Sequence, residues 1–216
     1  MSLDKAQVAA MIDHTHLAPE ATADDIRMTC ADALEFSVAA VCVSPTMVAV
    51  AVNEVAGRLP IASVVGFPSG AHLAEAKALE AKRACEQGAL EIDMVINFYF
   101  VKEGGWGELE HEVATVRAST SGLLKVIIES AALTNDEIVR ACNAAVRGGA
   151  QFVKTSTGFH HSGGASLDAV RLMRQTVGQS IGVKASGGIR TWDSAVAMIE
   201  AGATRIGTSS TRAILA

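Results

Sequence analysis

Four charged side chains stand in the middle of short runs of β-branched and aliphatic residues, where a charge is costly. They are Asp93 in Leu90 to Asn97, Lys125 in Leu123 to Glu129, Lys154 in Gln151 to Thr155 and Lys184 in Ile181 to Ala185. Alternation divides each run into two faces. Ile92, Met94 and Ile96 oppose Glu91, Asp93, Val95 and Asn97; Leu124, Val126 and Ile128 oppose Lys125, Ile127 and Glu129. Lys154 shares a face with Phe152 and Ser156, and Lys184 with Gly182 and Ser186. Asp13 and the small thiol of Cys42 join the same set from two earlier runs. Isolated buried charges cost several kcal/mol each, so these groups are expected to pair and to shift one another's pKa values.

Two lysines in neighbouring runs define a specific chemistry. An amine is a nucleophile only when deprotonated, and a neighbouring ammonium in a partly desolvated site lowers its pKa towards neutrality. Either Lys154 or Lys184 could then form a Schiff base. The resulting iminium withdraws electrons from the adjacent carbon, so a carbon-carbon bond can break or form without a metal, with Asp93 moving the required proton. The competing reading is a stabilising ion-pair cluster, which the usual preference of such interiors for branched aliphatics disfavours. Glu91, lower in its run, is read as structural.

Two loops suit an anion. Ser186-Gly187-Gly188-Ile189-Arg190 follows the seventh run and Gly207-Thr208-Ser209-Ser210 the eighth. Glycines let backbone N–H groups converge on a phosphate, and a following helix N-terminus adds partial positive charge. A third segment, Thr155-Ser156-Thr157-Gly158-Phe159, follows Lys154 and offers further hydroxyl and amide donors, and His160, His161, Gly163 and Gly164 suggest a flexible continuation. The six histidines, including His14 and His16, show no metal-ligand spacing and are read as polar loop or capping residues. The sequence therefore points to no metal or other cofactor.

These residues need a scaffold that aims several strands at one place. The runs number eight: Ala10 to His14, Val38 to Val43, Ile61 to Val65, Leu90 to Asn97, Leu123 to Glu129, Gln151 to Thr155, Ile181 to Ala185 and Thr204 to Thr208. Between them lie alanine-rich stretches with helical spacing, such as Leu73, Ala76, Lys77 and Glu80 to Ala84. Thr22 and Asp24, Thr134 and Asn135, and Ser166 are placed to cap helices. A repeated βα unit of this kind predicts a single (β/α)8 barrel over residues 1–216. The rival, a doubly wound open sheet, lacks its GxGxxG turn after the first run.

Composition narrows the partners. The 216 residues are half apolar and carry a formal charge of −5, which suits one core-forming domain and excludes disorder. No long Lys/Arg run offers a footprint for nucleic acid or an anionic membrane surface, so small molecules are the expected partners. Cys30, Cys42, Cys85 and Cys142 form neither a metal knuckle nor a CxxC pair and read as reduced thiols in a cytoplasmic protein. Nothing in the sequence reads as a membrane span or a cleaved signal. A homo-oligomer is left open, because apolar helix faces look alike whether they meet each other or a second subunit.

The sequence resembles the deoxyribose-phosphate aldolases, class I aldolases of the (β/α)8 fold, through essentially its whole length. The resemblance is carried by Ile12-Asp13-His14-Thr15, Val41-Cys42-Val43, Val64-Val65-Gly66-Phe67-Pro68, Glu91 to Asn97, Phe152 to Gly158, Val183 to Arg190 and Arg205 to Ser210. It implies reversible cleavage of 2-deoxy-D-ribose 5-phosphate to acetaldehyde and D-glyceraldehyde 3-phosphate, in deoxynucleoside catabolism. Matched by motif, Lys154 becomes the Schiff-base lysine, Lys184 the neighbour that depresses its pKa, and Asp93 the carboxylate that transfers protons with water. Asp13, Lys125 and Cys42 fall in the supporting network. Thr155, Gly158, Gly187, Gly188, Arg190, Gly207, Ser209 and Ser210 fall at the substrate and phosphate end. Two features depart from the family pattern: Phe159 stands where some members place a lysine, and Thr211 to Ala216, which next to longer-tailed members read as a truncated C-terminal helix, contain no tyrosine of the kind that assists proton transfer in some of them. They imply weaker phosphate preference and slower turnover. The competing functions are a non-catalytic phosphosugar-binding barrel and a Schiff-base aldolase for another phosphosugar.

Overall fold

The computed structural model describes residues 3–216. Eight parallel strands close into a barrel in chain order: β1 (Ile12–His16), β2 (Ala40–Val43), β3 (Ile61–Val65), β4 (Glu91–Val95), β5 (Leu123–Ile127), β6 (Phe152–Lys154), β7 (Gly182–Ser186) and β8 (Arg205–Thr208), which pairs back to β1. Among the described residues ten α-helices cover it: α1 (Lys5–Ala9), α2 (Ala23–Phe36), α3 (Val48–Val55), α4 (Ala74–Glu86), α5 (Phe98–Lys102), α6 (Trp106–Ala118), α7 (Asn135–Arg147), α8 (Leu167–Val177), α9 (Trp192–Glu200) and α10 (Thr211–Leu215). No helix among these residues is long and apolar enough to cross a membrane.

The anticipated caps form. Thr22 and Thr134 each close a capping box, with Asp25 and Glu137 answering three residues on, and Ser166 accepts from the Ala169 N–H. Each side chain satisfies a helix donor that has no partner inside the helix. β1 begins two residues later than its predicted run, because Ala10 caps α1 and the strand starts only at Ile12. The shift brings His16 into the strand beside His14, so both are strand residues rather than loop or capping residues. His14 is buried, with Nδ1 2.8 Å from the Thr211 hydroxyl of α10.

The strand faces divide as alternation predicts. Ile12, Val41, Val43, Ile61, Val65, Ile92, Met94, Leu124, Val126, Val153, Val183 and Ile206 pack outward against the helices in the main apolar core. Burying each such side chain contributes roughly 1.5–3 kcal/mol, which leaves the inner face free to carry charge. A smaller apolar patch of Leu17, Cys42, Ala62 and Val64, with Phe67 beside it, is separate from the main core.

One element of the packing escapes the sequence pattern. Lys77 of α4 and Glu112 of α6 form a fully buried ion pair at 2.6 Å. Lys77 also donates to the Val95 carbonyl at 2.7 Å, and Glu112 accepts from the Asn97 N–H at 3.0 Å. The pair thus satisfies backbone groups at the end of β4, where the strand ladder stops. Truncating Lys77 to Ala would strand the Glu112 carboxylate and the Val95 carbonyl, and is expected to cost about 3–5 kcal/mol. Chemical denaturation of the variant measures this directly.

Candidate active site

Register sets the charged interior. Asp93 pairs with Lys125 across β4 and β5, Lys154 with Lys184 across β6 and β7, and Lys184 with Arg205 across β7 and β8. Because all these residues lie on inner positions of their strands, their side chains converge. Asp93 accepts from three ammonium groups: Lys125 on Oδ1 at 2.7 Å, and Lys154 and Lys184 on Oδ2, both at 2.8 Å. Lys184 also pairs with Asp13. Lys125 reaches Glu91 at 2.6 Å, and Arg205 reaches Asp13 at 2.6 Å and Glu91 at 3.5 Å. The ring of opposite charges closes at the base of the barrel.

The electrostatics separate two lysines that alternation leaves equivalent. Burial pushes the Lys154 ammonium below its ordinary range and the Lys184 charge adds to this, while Asp93, the one carboxylate it touches, pulls the other way. Burial opposes the charge on Lys184 as well, but Asp13 and Asp93 together outweigh it and raise its pKa. Lys125 is raised for the same reason, by Asp93 and Asp13 against burial. Lys154, with a single carboxylate partner at the end of its strand, is the one of the three lysines whose pKa is lowered.

Asp93 is held well below the carboxylate range: burial opposes its charge, but Lys125, Lys154 and Lys184 prevail. Asp13 is lowered in the same way, from 3.8 to about 2, with Lys184, Lys125 and Arg205 overcoming burial. A depressed folded-state pKa contributes stability that is fully present above the unfolded value and lost as pH falls through the folded one. The protein is therefore expected to lose stability from about pH 4 downwards, progressively to about pH 2. An acid titration followed by circular dichroism locates the transition.

Above Lys154 a cleft of about 460 Å³ opens at the C-terminal end of the strands. Gly158, Gly187, Gly188, Arg190, Gly207, Ser209 and Ser210 line it, as the loop readings anticipate. Among the described residues, no protein acceptor takes the backbone N–H of Gly158, Gly187, Gly188 or Ser209, so these four are free for an anion. Gly187 and Gly188 have φ of +89° and +85°, a conformation open chiefly to glycine. Gly207 is required for a different reason: a Cβ there would lie 3.0 Å from Cε of Lys184 and 2.9 Å from Cβ of Ser186. The Arg190 side chain makes no ion pair among the described residues.

One expected site residue lies elsewhere. Thr155 follows an inward Lys154 and so points away from the cleft; its hydroxyl donates to the Ser186 carbonyl and accepts from the Ser186 N–H, tying β6 to β7. The alternation that places Lys154 inside could have placed Thr155 outside. Cys42 packs in the small apolar patch beside Lys154 and Lys184, so it borders the charged network, and burial raises its thiol pKa.

Further residues contribute. The end of β1 and the segment after it, Thr15 to Glu20, also line the cleft, and of these only Thr15 falls in a motif of the sequence. Glu129 is buried at φ +52° and accepts from both the Thr157 N–H, at 3.1 Å, and the Thr157 hydroxyl. Phe159 stacks edge-on against Phe67 with ring centroids 5.3 Å apart, giving the rim an apolar edge.

Residues 7–216 match the model of the DeoC/LacD family aldolases. The chain belongs to this family. A deoxyribose-phosphate aldolase of Corynebacterium diphtheriae is 57% identical over 210 residues, which cover 96% of this chain and 95% of that one. That of Kocuria rhizophila is 52% identical over 215 residues, 99% of this chain and 97% of its relative. Among solved structures, the tetrameric deoxyribose phosphate aldolase of Aeropyrum pernix superposes with a TM-score of 0.87 at 30% identity, covering 98% of this chain and 91% of the other. The chain is thus an aldolase, a carbon-carbon lyase.

Proposed function

We propose that this aldolase cleaves 2-deoxy-D-ribose 5-phosphate reversibly to acetaldehyde and D-glyceraldehyde 3-phosphate, with Lys154 as the Schiff-base nucleophile. The observation that carries the reading is the position of Lys154. It is the one lysine of the buried network that also lines the cleft, and its pKa is lowered where those of Lys125 and Lys184 are raised.

In this reaction the free amine of Lys154 adds to the C1 aldehyde of the open-chain sugar, and loss of water leaves an iminium. Removal of the C3 hydroxyl proton lets the C2–C3 bond break, with its electron pair flowing into the iminium to give an enamine. Glyceraldehyde phosphate departs; the enamine is protonated at C2 and water releases acetaldehyde. Asp93 bridges Lys154 and Lys184 through one oxygen. Its low proton affinity suits passing a proton rather than storing it, and Lys184 is the reservoir on the other side.

The phosphate binds at the opposite end of the cleft, on the free N–H groups of Gly158, Gly187, Gly188 and Ser209, with Arg190 as counter-charge. The apolar Phe67–Phe159 edge leaves this recognition mostly to backbone donors.

Borohydride reduction in the presence of 2-deoxyribose 5-phosphate, followed by peptide mass analysis, tests the assignment. A reduced adduct on Lys154 is expected. An adduct on Lys184 would reverse the two roles, and cleavage without any adduct would reject the Schiff base. Comparing cleavage of phosphorylated and free deoxyribose tests the phosphate end.

A further inference from the structure

The proposed mechanism uses Lys154, Lys184 and Asp93 and leaves the floor of the barrel without a role. Arg205 and Glu91 are the first residues of β8 and β4, at the end of the strands away from the cleft. Together with Asp13 they complete the ring of charges, and neither lines the cleft. The fully ionised network would contain four cations, Lys125, Lys154, Lys184 and Arg205, against three carboxylates, Asp13, Glu91 and Asp93. An enclosed cluster with one unmatched charge is unfavourable, and it becomes neutral when one lysine gives up its proton. Each of the other cations touches at least two carboxylates, whereas Lys154 touches Asp93 alone.

We infer that Arg205 and Glu91 are remote positioning residues whose charges, at the floor of the barrel, determine whether the Lys154 amine at its mouth is free to attack a carbonyl. The inference rests on Lys154 being the Schiff-base lysine. Removing the Arg205 charge leaves three cations for three carboxylates, so Lys154 keeps its proton. Removing the Glu91 charge adds to the excess of cations, so Lys154 loses its proton more readily. Removing both restores the original imbalance of one.

The groups facing Lys154 support transmission through this network. Asp93 approaches from β4, Lys184 from β7 and the thiol of Cys42 from β2, with Lys125 of β5 and Asp13 of β1 behind them. Cys42 stays a neutral thiol because burial raises its pKa. His16, Glu20 and Arg190 line the cleft above, and the Glu129 carboxylate is engaged by Thr157. The Arg205 and Glu91 side chains are only 15% and 8% exposed, so solvent screens them weakly. A unit charge about 10 Å away in an effective dielectric of about 20 shifts a titration by about one pH unit.

The test is the pH dependence of reductive trapping by cyanoborohydride with 2-deoxyribose 5-phosphate, read by mass analysis of the Lys154 peptide. In Arg205→Met the pH of half-maximal trapping is expected to rise by about one unit. In Glu91→Gln it is expected to fall by a similar amount, and in the double variant to return close to the wild-type value. Arg205→Lys, which keeps the charge, should restore the profile. A merely structural role would lower trapping at every pH without opposite displacements. If Arg205→Met does not fold, the acid displacement in Glu91→Gln carries the test alone. Wild-type adducts on Lys154 with an unmoved profile in Glu91→Gln, or with both single variants displaced the same way, would overturn the inference and leave the lysine assignment standing. Absence of any wild-type adduct on Lys154 would overturn the assignment and this inference with it.

Discussion

Replacing Lys154 with Leu is expected to abolish cleavage while leaving the barrel folded. The loss should exceed about 10⁴-fold in turnover, because no other inner-face amine both lines the cleft and has a lowered pKa. Every borohydride-reducible adduct should disappear with it. The fold should survive because Leu fills much of the same space and its removal of an amine leaves three cations facing three carboxylates. No buried charge is orphaned, since Asp93 keeps Lys125 and Lys184 at 2.7 and 2.8 Å. Steady-state cleavage, adduct mapping and a thermal melt check the three parts separately. A folded variant that still cleaves would reject the Schiff-base assignment.

Asp93→Asn is expected to act on stability and catalysis together, but on different steps of catalysis. The carboxylate is fully buried and is the shared partner of three ammonium groups. An amide of the same shape turns a donor towards other donors and leaves the lysines short of counter-charge. Breaking a buried pair from one side costs about 3–5 kcal/mol, and denaturant unfolding should show a loss of that order. Lys154 loses its only carboxylate partner, so its amine is freer and adduct formation persists. Turnover should nevertheless fall about 10²–10⁴-fold, the usual contribution of a positioned proton-transfer group. Persistent adduct with lost turnover is the pattern that separates a proton relay from a scaffold. Turnover within a few-fold of wild type would remove Asp93 from the mechanism.

These two residues also show how far a one-dimensional reading reaches. Period-two alternation in β4 to β7 was enough to put Asp93, Lys125, Lys154 and Lys184 on one face, since a strand buried on its outer side must turn its charges inward. The same rule would have sent Thr155 outward, as the structure does. The glycine pair after β7 marked the anion end, because the backbone adopts positive φ at Gly187 and Gly188. Local chemistry likewise announced the helix starts at Thr22, Thr134 and Ser166.

What alternation could not supply was the count of partners around each charge. Lys154 and Lys184 look alike along the chain. They differ because Asp13, at the far end of the sequence, reaches Lys184 across the closed barrel and no second carboxylate reaches Lys154. The Lys77–Glu112 pair was equally hidden, since a lysine on a helix reads as solvent-facing until α4 and α6 are packed together over β4. Thr15 to Glu20 became a wall of the cleft only when β1 closed against β8. Which residues turn inward is a local property of backbone geometry, legible in sequence. Which charges meet, and therefore which amine can lose its proton, depends on distances between residues remote in the chain, and only closure of the barrel decides them.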